Sequence, residues 1–443
     1  MDTLIKDLVI IGAGPGGYEL ASLARCEGLD VAIFEKEELG GTCLNCGCIP
    51  TKTYFQYAKV REQAAKLYSK ELDFNFKDLF ASKNNTIDTL KQGIKLSLNN
   101  VQIIDETAKL VKKDGKILVS SENYLVDAKN IVIATGSVDS AIKIDGIEYA
   151  LNSKELLALD YLPSTLNIIG GGVIGIEIAS IYNALGVKVN VFEYFPTILP
   201  RFDKEVSRRL TNLLKAKGVN IYTNASVSKI GKLNDCYKTT ALVKGEEVSE
   251  VAELVLCATG RIPNTFNLGL AEVGIKANKG GIKVNKYLQT NYPNIYAIGD
   301  VSGGIMLAHK ASMDAKVVLN HILNRKFKVN YNLIPACCFS LPEVASIGLL
   351  EDEAKEKGID YKVIKKLYRS NGKAQAIKET DGFVKIIVAN DLIIGASVIG
   401  EDANLLIHEI AVLMNAKVKV SKAKSFIHTH PTLAEIIQDC LND

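Results

Sequence analysis

The chain has 443 residues, of which 47% are hydrophobic and 34 are glycines. Such a length calls for two to four domains, and such a composition suits an α/β protein with many tight strand-to-helix turns. The net charge of only +3 comes from interspersed acids and bases, which argues against nucleic-acid or membrane-surface partners.

The first strand-like run, Asp7-Leu8-Val9-Ile10-Ile11, starts so soon after Met1 that no cleavable signal is expected. No apolar run approaches the ~20 residues needed to span a bilayer. The nine cysteines are scattered and odd in number, so a reducing cytoplasm is expected rather than a secreted disulfide framework. After the first strand, Gly12-x-Gly14-x-x-Gly17 opens a helix, and Val31-Ala-Ile-Phe-Glu35 ends in an acid 18 residues beyond Gly17. The first Gly allows the tight turn, the second lets backbone approach a pyrophosphate, and the third allows close helix–strand packing. A following acid can accept from a ribose hydroxyl.

Next comes Gly40-Gly-Thr-Cys43-Leu-Asn-Cys46-Gly-Cys48-Ile-Pro-Thr-Lys52. Three sulfurs without a fourth nearby ligand disfavour zinc or an iron–sulfur cluster, so no metal is expected. Buried thiols or a redox pair remain, and Gly47 can relax the turn so that residues five apart meet. The Lys-rich stretch 56–99 has helical spacing and few breakers. Ile131-Val-Ile-Ala-Thr135-Gly136 and Leu254-Val-Leu-Cys-Ala-Thr-Gly260 read as short buried strands, each closing a nucleotide unit.

Between them the first unit recurs. Gly170, Gly172 and Gly175 lie 158 residues after Gly12, Gly14 and Gly17, and Glu193 lies 158 after Glu35. A doubled strand, glycine turn, helix, strand and acid implies two dinucleotide domains. Glu193 favours NAD over NADP, because a carboxylate accepts from a 2′-hydroxyl and repels a 2′-phosphate. Ile295-Tyr-Ala-Ile-Gly-Asp300 is one more strand of this type, so the second domain is expected to nest inside the first. After Pro335 the runs 383–388 and 393–399 turn β-like, with helices beyond. The adjacent Cys337-Cys338 lies in a strand-like run and is expected to pack in the core. Near the end stands His428-Thr-His430-Pro-Thr-Leu-Ala-Glu435. A neutral His oriented by a carboxylate suits base work near neutral pH, although a His at a Pro-marked helix start also has a purely structural use.

The expected fold class is therefore α/β, with two nested Rossmann-like dinucleotide-binding domains and a C-terminal α+β domain. The boundaries are 1–145 with 270–334 for the first, 146–269 for the second, and 335–443 for the third.

The cysteine signature, both glycine fingerprints, Ala258-Thr-Gly-Arg-Ile-Pro-Asn264, Ala297-Ile-Gly-Asp-Val301 and the C-terminal string resemble the FAD-dependent pyridine nucleotide–disulfide oxidoreductases over nearly the whole chain. The His-x-His-Pro-Thr-Leu-x-Glu string and Met306-Leu-Ala308-His309-Lys310-Ala-Ser312 resemble the dihydrolipoamide dehydrogenase form of that family. The resemblance implies FAD in the first domain, NAD in the second and dimerisation through the third. It implies a redox disulfide Cys43–Cys48, with Cys48 against the flavin and Cys43 exchanging with substrate. Thr42, Ala108, Thr135, Gly136, Asp300 and Ala308 join Gly12, Gly14, Gly17 and Glu35 on the FAD side, with Lys52 beside the flavin ring. Glu177, paired with Lys52, and Gly260 go with Gly170, Gly172, Gly175 and Glu193 on the NAD side. His430 is the implied base and Glu435 its partner, supplied by the other subunit of a homodimer with shared active sites, while His428 is structural. The implied partner is a lipoyl-bearing protein of a 2-oxo acid dehydrogenase complex or a glycine cleavage system. Rival readings are a glutathione-reductase-like or mercuric-reductase-like enzyme and a non-catalytic flavoprotein subunit. Cys46 stands where the family commonly has an apolar residue; a third thiol there can compete by thiol–disulfide exchange, but it is expected to pack inward as a small hydrophobe.

Overall fold

A computed structural model describes residues 2–70, 72–140 and 142–443. The chain divides into two compact units. The first comprises 1–50, 80–141 and 260–329, and the second 51–79, 142–259 and 330–443.

In the first unit, strand Asp2–Ile11 pairs in parallel with Val31–Phe34 on one side and Tyr124–Ile133 on the other. Gln102–Ile104 extends the sheet beyond Val31–Phe34, and Ile295–Ala297 pairs in parallel with Tyr124–Ile133. Parallel strands are covered on both faces, so they are written in unbroken apolar runs; Leu8, Val9, Ile10, Ala32 and Ile33 are fully buried. Lys116–Ser120 and Lys109–Lys113 add an antiparallel flap. The turns that bind ligands in such sheets lie at the carboxyl ends of the strands, where Gly12 follows Ile11.

The second unit holds a four-stranded parallel sheet in the order Asn220–Thr223, Lys188–Glu193, Thr165–Ile169, Leu254–Cys257. A three-stranded antiparallel meander over Ala225–Leu233, Cys236–Val243 and Glu246–Ala252 belongs with it. A separate five-stranded antiparallel sheet runs Ala336–Cys338, Glu343–Gly348, Leu392–Gly400, Phe383–Ala389, Lys362–Leu367. Helices Ala403–Asn415 and Glu435–Asn442 share its buried core through Leu406, Ile407, Ile410, Ile436 and Ile437.

Three expectations need adjustment. The stretch 56–99 is two helices, Cys48–Tyr68 and Phe76–Ser97, and the first begins earlier than its spacing suggested. It passes through Pro50 because the first-turn amides of a helix have no intrahelical acceptor to lose. The first unit resumes at Gly260 rather than 270, because strand Arg261–Pro263 pairs antiparallel with Ser137–Asp139. Residues 51–79, expected in the first domain, cluster with the second unit.

Candidate active site

The two glycine turns are built alike. Gly12 has φ +105 and Gly170 φ +110; a Cβ there would lie 2.5 Å from the Ala134 carbonyl oxygen and 2.4 Å from that of Ala258. A Cβ on Gly17 or Gly175 would sit 1.9 or 2.0 Å from the carbonyl oxygen of the first glycine. These positions exclude side chains because protein backbone already fills the space. Gly14 and Gly172 differ, since nothing in the protein lies within 4 Å of a Cβ there. Each caps a helix, Pro15–Cys26 or Val173–Ala184, with no side-chain cap and no acid in the first turn. The free N–H groups and positive end of the helix dipole are thus left open to an anionic group.

The acids are also held alike. Glu35 accepts from Ala13 N at 2.8 Å and from Glu37 N at 2.9 Å. Glu193 accepts from Gly171 N at 2.5 Å and from Phe195 N at 2.7 Å. Each carboxylate is oriented by the turn it serves and keeps lone pairs for a ribose. Both cradles therefore fit a dinucleotide.

Around the first turn, Gly40 N donates to Ala13 O at 2.9 Å, and a Cβ on Gly41 would come within 2.8 Å of Gly14 Cα. Thr135 Oγ1 donates to Asn264 O at 2.7 Å, and Asn264 N returns a bond to Gly136 O at 2.9 Å. Asp300 lies in the short turn Gly299–Ser302 and accepts from Ser137 Oγ at 2.6 Å. Arg261 Nε in turn donates to Ser137 Oγ at 2.8 Å. Ala308 starts helix Ala308–Ile322, again without a side-chain cap, while Ala108 is buried beside strand Lys109–Lys113. Gly260, expected on the NAD side, belongs to the first unit, where its carbonyl accepts from Ser140 N at 3.0 Å. The brace under this region carried no role in the sequence reading. Lys310 Nζ lies 2.7 Å from the fully buried Asp314, which accepts from Gly299 N at 2.9 Å.

Thr42 and Cys43 ride on helix Gly41–Cys46; Gly47 then leaves helical geometry at φ −138, ψ −103, and a new helix begins at Cys48. A Cβ on Gly47 would lie 2.9 Å from Thr42 O. Cys43, Cys46 and Cys48 are all half-buried. Asn45 was quoted only as a letter of the signature, yet its Nδ2 donates to Gly41 O at 2.9 Å and Leu39 O at 3.0 Å, fixing the loop. Tyr18 sits close enough to Cys43 to feel its charge; burial, then Glu19 and Cys43, push its hydroxyl above the usual range. Among the described residues no group of three His, Cys, Asp or Glu is arranged to hold a metal ion.

In the second unit, Lys52 Nζ lies 2.9 Å from Glu177 Oε2 and 3.0 Å from Oε1. Glu177 is buried on the helix after the second glycine turn and also accepts from Phe339 N at 2.9 Å; Lys52 Nζ is 4.4 Å from the Phe339 ring centroid. Burial pushes the Cys337 thiol up to about 12 and raises Cys338 as well, which suits packing rather than nucleophilic chemistry.

His430 Nδ1 is 2.9 Å from Glu435 Oε1, and Glu435 Oε2 accepts from Thr432 N at 2.8 Å. The Thr432 amide first, then His430, hold the Glu435 carboxyl below the usual carboxylate range. The His430 ring is 80% exposed, so one nitrogen is oriented while the other is open to a reactant. His428 is instead mostly buried, with Nε2 2.7 Å from Glu409.

A family model described as pyridine nucleotide-disulphide oxidoreductase matches residues 6–315, and the model of its dimerisation domain matches 334–440. A dihydrolipoyl dehydrogenase of Bacillus subtilis (strain 168) is 39% identical, the match covering 98% of this chain and 95% of that protein. One from Geobacillus stearothermophilus is 37% identical with the same coverage. Among solved structures, the HOCl-induced flavoprotein disulfide reductase RclA from Escherichia coli superposes with a TM-score of 0.88 at 29% identity, covering 98% of this chain and 99% of that one. No described helix is long and apolar enough to cross a membrane.

Proposed function

This chain belongs to the pyridine nucleotide-disulphide oxidoreductase family, and from that premise we propose that it oxidises protein-bound dihydrolipoyl groups with NAD⁺ through a Cys43–Cys48 disulfide. The cofactors are FAD and NAD, and the first and second glycine turns are the cradles assigned to them in that order. Bound FAD supplies the two-electron link between thiol and nicotinamide.

The chain's own residues handle the sulfur and proton chemistry. One substrate thiol, deprotonated by His430, attacks Cys43 Sγ; the substrate–Cys43 bond forms, the Cys43–Cys48 bond breaks, and Cys48 leaves as a thiolate. The second substrate sulfur then attacks the first, closing the lipoyl ring and releasing Cys43. His430 takes the first proton, passes it to solvent and then takes the second, and the Glu435 carboxylate stabilises the charge each transfer creates on the ring. Lys52, held by Glu177, would set a positive charge beside the flavin when it is bound. Glu193 selects a free 2′-hydroxyl on the nicotinamide nucleotide. The observation that carries the reading is the His430 ring held at Nδ1 by Glu435 with its other edge exposed in the single chain, the arrangement a base needs.

Residues 334–440 match a dimerisation domain, and the reading takes His430 and Glu435 from the partner subunit. A lipoyl domain of a 2-oxo acid dehydrogenase complex or a glycine cleavage system is the partner it calls for, in the cytoplasm. The test is NAD(P)H-linked turnover across dihydrolipoamide, glutathione disulfide and mercuric ion. Dihydrolipoamide with NAD⁺ should dominate, and clear preference for glutathione disulfide with NADPH would reject the substrate.

A further inference from the structure

We propose that Cys46 is a second exchange partner for Cys43, so that the oxidised active site isomerises between a Cys43–Cys48 and a Cys43–Cys46 disulfide. The inference rests on the Cys43–Cys48 reading above. Cys43 and Cys46 are three residues apart on helix Gly41–Cys46, on one face and one turn from each other. Residues so spaced have Cα atoms inside the disulfide window of about 4.4–6.8 Å, and their Cβ atoms must close by about 1–2 Å. Asn45 Nδ2 on Gly41 O and Leu39 O ties the turn to its entry, and the backbone departs from helical geometry directly after Cys46, at Gly47, which is where the turn can adjust. Cys43 thus has one possible partner within its own helix and another just past the break. All three cysteines are half-buried, and among the described residues no group of three His, Cys, Asp or Glu, these three included, is arranged to hold a metal ion, so pairwise exchange rather than chelation is the chemistry available.

The step balances without an oxidant. Cys46 loses its proton to solvent and attacks Cys43 Sγ; the Cys43–Cys46 bond forms, the Cys43–Cys48 bond breaks, and Cys48 departs as a thiolate. The isomer is still two-electron oxidised, but it presents a Cys48 thiolate before any substrate has bound. The charged and titratable groups around the site are Tyr18 beside Cys43, Lys52 one turn past Cys48 on the next helix and, in the reading above, His430 of the partner subunit. Only the histidine ordinarily changes charge between about pH 6 and pH 9, so the pH series is also run in His430→Gln.

The oxidised holoenzyme is equilibrated at several pH values, acid-quenched, unfolded and labelled with N-ethylmaleimide without reductant, and the labelled cysteine is located by mass spectrometry. Label should divide between Cys46 and Cys48, with the Cys48-to-Cys46 ratio rising by up to about tenfold per pH unit. It should vanish from Cys48 in Cys46→Ser. Label on Cys46 alone at every pH, label on Cys43, or label persisting on Cys48 in Cys46→Ser would each overturn the proposal. Label on all three cysteines would instead remove the Cys43–Cys48 disulfide and with it the proposed reaction.

Discussion

At the residue scale, the His430–Glu435 pair and the open glycines make the sharpest demands. Replacing His430 by Gln removes the proposed base, so dihydrolipoamide turnover should fall by about 10²–10⁴. Thermal midpoint should stay near that of the unmodified protein, and stopped-flow reduction together with a melting scan would check both. Gly14 has φ −70, and a Cβ there meets no protein atom, so Gly14→Ala should fold normally yet load FAD poorly. Gly17→Ala should fail earlier, because its Cβ would sit 1.9 Å from Gly12 O. Flavin absorbance per protein, alongside circular dichroism, separates the two failures. These glycines were legible because their spacing encodes the turn itself. The role of Asn45 was not, since a side-chain amide that folds back onto preceding carbonyls leaves no periodic trace.

At the scale of elements, Lys59 on helix Cys48–Tyr68 gathers three carboxylates from the segments 343–348 and 392–402: Glu401 at 2.7 Å, Glu343 at 3.5 Å and Asp402 at 3.7 Å. Glu343 is only 3% exposed, and burial pushes its carboxyl from an ordinary 4.5 up to about 7. The folded protein then keeps this proton in a pH range where the unfolded chain has released it. The group's contribution to stability is therefore complete below about pH 4.5 and is lost as pH rises through about 7. Glu343→Gln, which leaves Lys59 its contact with Glu401, should stabilise the protein above pH 7 by on the order of 1–3 kcal/mol and change little at low pH. Denaturant melts at both ends of the range would decide it, and equal effects at both would discard the explanation. No pattern in the sequence announces this cluster, because Lys59 and its partners lie hundreds of residues apart and only folding joins them. The strands, by contrast, were legible as unbroken apolar runs. The early start of helix Cys48–Tyr68 was masked by Pro50, which reads as a breaker unless it falls in a first turn.

At the scale of the whole molecule, the proposed site, with Cys43 from one subunit and His430 from the other, should be repairable by mixing. Inactive Cys43→Ser and His430→Gln proteins, dissociated and reassembled together, should recover about a quarter of native activity, since half the dimers are mixed and each carries one intact site. No recovery, with mixed dimers shown to have formed, would place the base in the same chain as the thiols.

The second glycine turn has a use beyond its own ligand. Gly12 and Gly170 share their φ to within a few degrees, Gly17 and Gly175 their clash, and Glu35 and Glu193 their grip on the turn. One polypeptide thus carries the same turn twice, alike in these features though not in its neighbours, since Gly41 packs against Gly14. Gly14→Ala and Gly172→Ala then form an internally controlled comparison. The difference between the two then reports how each turn, with its own neighbours and its own proposed nucleotide, tolerates the same added carbon.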